Sequence, residues 1–246
     1  MTSRRFFFEG FEADTYTVKL KGEEHHHLSC VIRAKKGKTV ILFDKKGNEF
    51  KARVDEIRSD YTLLRIEKKV NSRKNHIDIT LAQALLKAKK MDLVVQKATE
   101  LGINHFVPVP AVRSVAKIEE KKDRKIERWN KIALSAAKQC GRTTVPEIAP
   151  CIKLKDLDEH YPANIKFFLH EKNGRPLKKA LLEKKVNPSR CESVIVLVGP
   201  EGGWTNAEEK LILEKGYEPV GLGPRILRSE TSAICCLAII DHYWNT

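Results

Sequence analysis

No stretch of 18 consecutive apolar residues occurs in the chain, so no segment is long and oily enough to span a bilayer as a helix. None of the six cysteines, at 30, 140, 151, 191, 235 and 236, forms a Cys-x-x-Cys pair. A zinc site or a thioredoxin-like redox pair therefore lacks its usual spacing. Neither Gly-x-Gly-x-x-Gly nor Gly-x-x-x-x-Gly-Lys-Ser/Thr is present, which removes the common nucleotide-phosphate cradles. Internal repeats and low-complexity tracts are missing too. The early apolar run is only Phe6 to Phe8, too short for a secretory signal. These absences predict a soluble cytoplasmic protein whose cysteines are reduced, partly buried small hydrophobes.

Positive charge is what the chain has in excess: 46 Lys and Arg against 32 Asp and Glu, a net of +14 over 246 residues. Residues 1–74 hold 18 basic against 11 acidic side chains, and the remainder holds 28 against 21. The first segment thus carries an equal excess in less than half the length. Dense positive charge on a small domain suits phosphate contacts and points to a nucleic-acid partner.

Patterning divides the chain in two. Through residue 70 it reads as short strands separated by tight turns. Thr39-Val-Ile-Leu-Phe43 is β-rich, residues 44–48 are a turn signal, and 49–54 alternate polar and apolar. Closely spaced strands of this kind predict a small β-barrel over residues 1–72. The polar stretch 68–75 is read as the linker. From residue 76 strands alternate with helical periodicity, which predicts a parallel α/β sheet over 75–246. Helices are expected at about 91–101, 125–140, 206–215 and 231–243, and strands near 77–85, 106–109, 165–169 and 193–198. Thr205-Asn-Ala-Glu208 is a capping-box sequence. Residues 117–125 read as a solvated helix start or exposed loop. Three adjacent histidines, His25 to His27, fall in the strand-rich half, where alternation keeps them from facing one ion. No metal is expected.

Two segments carry the chemistry. Ser193-Val-Ile-Val-Leu-Val198 stops at Gly199-Pro200-Glu201-Gly202-Gly203-Trp204, and Val220-Gly-Leu-Gly223 opens into Pro224-Arg225-Ile226-Leu227-Arg228-Ser229-Glu230-Thr231. Strands that stop at glycine and lead into a helix build ligand crevices at the carboxyl edge of α/β sheets. Glycine lets the backbone approach a ligand closely.

These two loops resemble the second and third signature loops of SPOUT-class RNA methyltransferases. More narrowly, they resemble the ribosomal RNA small subunit methyltransferase E family. The likeness extends, in order, to Arg4-Arg5-Phe6-Phe7-Phe8, His27 with Arg33, Lys97-Ala98-Thr99-Glu100-Leu101-Gly102 and Gln139-Cys140-Gly141-Arg142. It implies a trefoil-knotted C-terminal sheet behind a PUA-like or OB-like barrel, and a homodimer. It also implies S-adenosyl-L-methionine as methyl donor and N3 of one uridine in 16S rRNA, within the small ribosomal subunit, as acceptor.

Residue by residue, the resemblance implies a cofactor site built from Leu169 and His170, beside Glu171, from Leu197, Val198, Gly199, Pro200, Glu201, Gly202 and Gly203, and from Leu222, Gly223, Ile226, Leu227 and Thr231. Arg228 is the expected catalytic cation. Losing the N3 proton leaves a planar delocalised anion, which a guanidinium fork stabilises. Glu230 either takes that proton or orients Arg228 by a salt bridge. RNA contacts fall to Arg4, Arg5, His27, Arg33, Arg142 and Arg225. Phe6 to Phe8 read as barrel core, with base stacking as the alternative. Two other readings stay open. One is a SPOUT ribose 2′-O-methyltransferase, whose Asn-x-Gly…Arg first motif is not found here. The other is a non-catalytic RNA-binding assembly factor.

Overall fold

The computed structural model describes residues 4–9, 16–44, 47–70, 77–115, 122–184 and 192–244. Its contacts divide the chain into two compact units, Met1–Lys74 with Ala137–Val145, and Asn75–Ala136 with Pro146–Thr246.

The first unit is a five-stranded sheet of β1 (Arg5–Phe7), β2 (Thr17–Lys21), β3 (Thr39–Phe43), β4 (Glu49–Ile57) and β5 (Tyr61–Val70), in the order β1-β3-β4-β5-β2. β1 runs parallel to β3 and the other pairs are antiparallel. Alternation in β4 buries Phe50, Ala52 and Val54. They close on Phe6, Phe8, Val18, Leu42 and Leu64 to form one core. Phe6 and Phe8 are therefore packing residues.

Two expectations fail in this unit. The histidine tract is not in a strand. Gly22–His26 form helix α1, and His27–Val31 continue it as a π turn. His25 is buried and hydrogen-bonded to Thr62 Oγ1 at 2.8 Å, whereas His26 and His27 are exposed. Three identical polar residues offer no periodicity, and burial of His25 and Leu28 decides the local structure. The proposed linker also begins too early. Lys68, Lys69 and Val70 extend β5, opposite Lys51, Phe50 and Glu49, because ladder hydrogen bonds override poor strand propensity. Residues 71–76 lie outside the described residues.

The segment Ala137–Val145 is held to this sheet by polar contacts. Arg5 Nη2 donates to the Arg142 carbonyl at 2.7 Å, and Lys138 pairs with Glu24.

The second unit contains β6 (Ile77–Ala84), α2 (Ala88–Glu100), β7 (His105–Val109), α3 (Lys122–Cys140, whose end from Ala137 counts with the first unit), β8 (Glu147–Ile148), α4 (Leu157–His160), β9 (Ile165–Leu169) and β10 (Arg175–Pro176). After them come α5 (Leu177–Glu183), β11 (Glu192–Val198), α6 (Asn206–Glu214), β12 (Glu218–Gly221) and α7 (Ser229–Trp244). Seven strands form a wholly parallel sheet in the order β10-β12-β9-β11-β6-β7-β8. Its central strands are buried nearly throughout, as a sheet covered on both faces requires. Ile195 and Leu197 pack on one face with Phe168, Val107 and Ile212 of α6. On the other face α7 lies against α2, β6 and β11.

Caps agree with the sequence. Glu208 N donates to Thr205 Oγ1 at 3.3 Å and Thr205 N donates to Glu208 Oε2 at 2.9 Å, a full capping box worth about 1 kcal/mol. Helix α7 starts at Ser229, two residues before the expected position. That places Glu230 in the first turn, where a carboxylate meets the positive end of the helix dipole.

Burial pushes the Cys236 thiol up to about 12, which makes it an inert packing group. Cys30 and Cys140 are exposed, against the expectation of partial burial. Cys191 and residues 116–121 lie outside the described residues. No helix among the described residues is long and apolar enough to cross a membrane.

Candidate active site

A cavity of about 890 Å³ opens at the carboxyl ends of β9, β11 and β12. This is a ligand-sized volume, placed where parallel α/β sheets bind ligands. Three loops line it. The loop after β9 contributes Leu169, His170 and Glu171, the loop after β11 contributes Val198 to Trp204, and the loop after β12 contributes Leu222, Gly223, Arg225, Ile226, Leu227 and Arg228. The two glycine loops and the loop after β9 thus meet at one site. Leu197 is an exception, lying fully buried in the core behind the wall. Thr231 is exposed and lies outside the lining. Ile226 stands 73 % exposed at the rim.

The first loop is pinned to β12 by bare backbone. A Cβ on Gly174 would lie 2.5 Å from Gly221 N and 2.7 Å from the His170 carbonyl, so only glycine permits this approach. His170 N donates to the Val220 carbonyl at 3.0 Å. The His170 ring accepts at Nδ1 from the amides of Lys172 and Asn173. Its proton therefore sits on Nε2, 3.0 Å from Glu209 Oε1.

The second loop turns tightly, with Gly203 N donating to the Pro200 carbonyl at 2.9 Å. A Cβ on Gly199 would lie 3.0 Å from Trp204 Nε1, so the missing side chain is what seats the indole. Arg113 Nη1 donates to the carbonyls of Gly202 (3.1 Å) and Trp204 (3.2 Å) and braces the loop from outside.

The third loop is tied to the second through Ser229. Its Oγ donates to the Gly199 carbonyl at 2.5 Å and accepts from Gln83 Nε2 at 3.0 Å. Glu230 is buried, and its ion pair is with Lys90 Nζ at 3.4 Å, not with Arg228. Of the two roles left open for Glu230, orienting Arg228 by a salt bridge has no such contact among the described residues. Lys90 also pairs with Glu201 Oε1 at 3.0 Å. Burial pushes the Glu201 carboxyl up, but its own backbone amide and Lys90 outweigh this and leave it below the usual carboxylate range. Arg228 lines the cavity, exposed, with no side-chain partner among the described residues.

Sequence reasoning missed Lys90, Arg113, Gln83, Trp204 and Ser229 as site residues. Trp204 and Ser229 sit inside the quoted loops and were open to notice. Lys90, Arg113 and Gln83 come from other elements; only the sheet order brings Lys90 and Arg113 to the cavity and sets the buried Gln83 behind it against Ser229.

The expected RNA contacts divide. Arg4, His27 and Arg33 are exposed on the first unit, and Arg225 is exposed on the second. The His27 ring lies 5.6 Å from that of Phe6. Arg5 is turned inward, paired with Glu49 and stacked over Phe43 at 5.2 Å, so its charge is used within the fold. Arg142 is half-buried and donates to Thr144 Oγ1 at 3.2 Å.

Known proteins give this geometry its class. The family model of the RNA methyltransferase domain matches residues 73–241, and the chain is an RNA methyltransferase by that measure. It is 34 % identical over 235 residues to the ribosomal RNA small subunit methyltransferase E of Bacillus subtilis, covering 94 % of this chain and 91 % of that protein. The protein of the same name from Synechocystis is 30 % identical over 227 residues, covering 92 % of this chain and 73 % of its own length. A crystal structure of a ribosomal RNA small subunit methyltransferase E from Neisseria gonorrhoeae, bound to S-adenosyl methionine, superposes with a TM-score of 0.87 at 30 % identity, over 99 % of this chain and 98 % of that one. The chain belongs to the ribosomal RNA small subunit methyltransferase E family.

Proposed function

We propose that the chain transfers a methyl group from S-adenosyl-L-methionine to N3 of one uridine of 16S rRNA in the small ribosomal subunit. The observation that carries this reading is the convergence of three strand-end loops on one cavity with Arg228 unpaired in its wall. The cavity fits an adenosine-bearing donor. Leu169, Val198, Leu222 and Leu227 offer an apolar slot for a purine, and Gly199, Gly202 and Gly223 offer backbone polar groups without side chains in the way. When bound, the donor supplies a methyl group already attached to a sulfonium leaving group.

The chain's task is then placement. Three loops fix the pocket, and Arg228 meets the acceptor. Uridine N3 must lose its proton, here to solvent, before it can attack, and the charge that remains spreads over the flanking carbonyl oxygens. An exposed, unpaired guanidinium is a suitable partner for that charge. Glu230 acts behind Arg228, since its carboxylate is committed to Lys90.

We assign RNA phosphate contacts to Arg4, Arg33 and Arg225 and a base or ribose contact to His27, on their exposure. Arg5 and Arg142 have structural work within the first unit. That curled five-stranded sheet, with register shifts in β4, supports a PUA-like barrel. A trefoil knot is supported by the return of the chain from β12, beyond β9, to the Ser229–Gly199 bond beside β11. A cytoplasmic homodimer is our reading of the assembly, with the exposed Ile226 at the cavity rim in its favour.

The test is reconstitution. Small subunits from a strain deleted for this gene would be incubated with purified protein and labelled donor, and the nucleosides analysed by mass spectrometry. We expect 3-methyluridine and a new primer-extension stop at a single uridine. A 2′-O-methylated nucleoside, or no incorporation, would overturn the proposal.

A further inference from the structure

Lys90 stands in the first turn of α2, an element that belongs to neither glycine loop, yet its ammonium reaches both. Nζ lies 3.0 Å from Glu201 Oε1 in the loop after β11 and 3.4 Å from Glu230 Oε1 at the start of α7. Glu230 is 8 % exposed, and its second oxygen is buried without a hydrogen-bond partner among the described residues. Lys90 is thus the cation that balances a buried carboxylate. Its hydrogen bond with Glu201, aided by Glu230, raises its pKa, so the ammonium stays charged through the neutral range.

Arg228 lies two residues before Glu230 and has no side-chain partner of its own among the described residues. Its direction must come from the backbone that carries it, and that backbone is fixed on its C-terminal side by Ser229 and Glu230. We propose that Lys90 is a positioning residue for methyl transfer: its bridge from Glu201 to Glu230 sets the spacing of the two glycine loops and so aims Arg228 at the acceptor base. The inference rests on the methyl-transfer reading above.

Removing the ammonium leaves two carboxylates facing each other across the loops, and like charges repel. The Gln83–Ser229–Gly199 relay would still join the loops, so the pocket should persist with its wall displaced. Displacements of about 1 Å cost roughly a hundredfold in rate when catalysis rests on placement. The expected signature is a loss in turnover without a matching loss in donor binding.

The experiment compares the full-length wild type with Lys90→Met and Lys90→Arg. Near-UV circular dichroism checks the fold, calorimetry measures S-adenosylmethionine affinity, and methylation of small subunits gives kcat and KM. Hydrogen exchange of the donor-free protein follows the amides of residues 199–204 and 222–230. For Lys90→Met we expect kcat to fall about 10- to 100-fold, with donor affinity within about threefold, and faster exchange in both loops. Lys90→Arg, which keeps the charge and reach, should recover most of kcat and slow the exchange again. The proposal is overturned if Lys90→Met keeps kcat within about twofold, if Lys90→Arg recovers nothing, or if a folded Lys90→Met no longer binds the donor. It is overturned as well if both variants fail to fold, which would assign Lys90 to stability alone. A wild-type chain that binds no S-adenosylmethionine sinks the methyl-transfer reading itself. An active wild type beside an equally active Lys90→Met sinks only the role of Lys90.

Discussion

The hydroxyl of Ser229 joins the two glycine loops by donating to the carbonyl of Gly199 at 2.5 Å. It accepts in turn from Gln83 Nε2, so β6, the loop after β11 and the start of α7 share one buried relay. Ser229→Ala leaves the Gln83 amide and the Gly199 carbonyl short of a partner. An unsatisfied buried polar group costs about 1–3 kcal/mol, and we expect a loss of that order in the unfolding free energy of the variant, read as a lower urea midpoint at unchanged m. Donor affinity measured by calorimetry should weaken with it, since the relay fixes the pocket wall. An unchanged midpoint would show that the relay does not hold the loops together.

Arg228→Ala tests the assignment of the unpaired guanidinium. Its side chain lines the cavity without supporting any described neighbour, so the fold should not depend on it. We expect turnover on small subunits to fall by about 10²- to 10³-fold, the usual effect of deleting one electrostatic stabiliser of a developing anion. Donor affinity should stay within severalfold of wild type. Equal losses in both would move Arg228 from the acceptor side to the donor side.

Much of this site was legible because it is local. The run 193–198 followed by Gly199-Pro200-Glu201-Gly202-Gly203 needs only strand and turn chemistry to be placed, and the Thr205–Glu208 capping box formed as its spacing requires. The seven-stranded order was not legible. Pairing of β11 with β6 joins residues far apart in sequence, and periodicity carries no information about it. Lys90 is the consequence: on the sequence it is one lysine among several at the start of a helix, and only the sheet order sets it against Glu201 and Glu230. Arg5 is the opposite case. The family resemblance implies an RNA contact for it, and the structure gives it intramolecular partners in Glu49 and the Arg142 carbonyl that the sequence did not announce. The α1 turn was hidden because its histidines have no pattern, and burial of His25 beside Thr62 settled the matter.

At the amino edge of the large sheet, away from the cavity, His105 lies between Asp78 (3.5 Å) and Glu147 (3.2 Å). The hydrogen bond with Asp78 is the largest influence, and together with Glu147 it outweighs burial and raises the His105 pKa above 6.5. A raised folded-state value means the stabilisation is complete below the unfolded pKa of about 6.5 and is lost as pH rises through the folded value. Wild type should therefore lose part of its stability between about pH 6 and pH 9 that His105→Gln does not lose. Both partners are partly solvated, so the differential should stay under about 1 kcal/mol. Urea titrations of the two proteins at both pH values would measure it, and parallel pH dependences would show that the pair contributes nothing.

The RNA contacts proposed for the first unit are testable in salt. Arg4 and Arg33 are exposed, and Arg33 is the non-glycine residue held at a positive φ, +51°, among the described residues. A strained backbone that presents a charged side chain to solvent is a reasonable mark of a binding role. Removing one cation from a phosphate should reduce the slope of log K against log salt by about 0.7 to 0.9. We expect Arg4→Gln with Arg33→Asn to lower the slope by about 1.5 and to weaken RNA binding at low salt, while near-UV spectra and donor affinity remain unchanged. Asparagine is chosen at position 33 because it tolerates the left-handed conformation, so a backbone effect does not confuse the result. A filter-binding series from low to high salt with an unaltered slope would place the phosphate-binding cations elsewhere, and the exposed Arg225 beside the cavity would be the next residue to change.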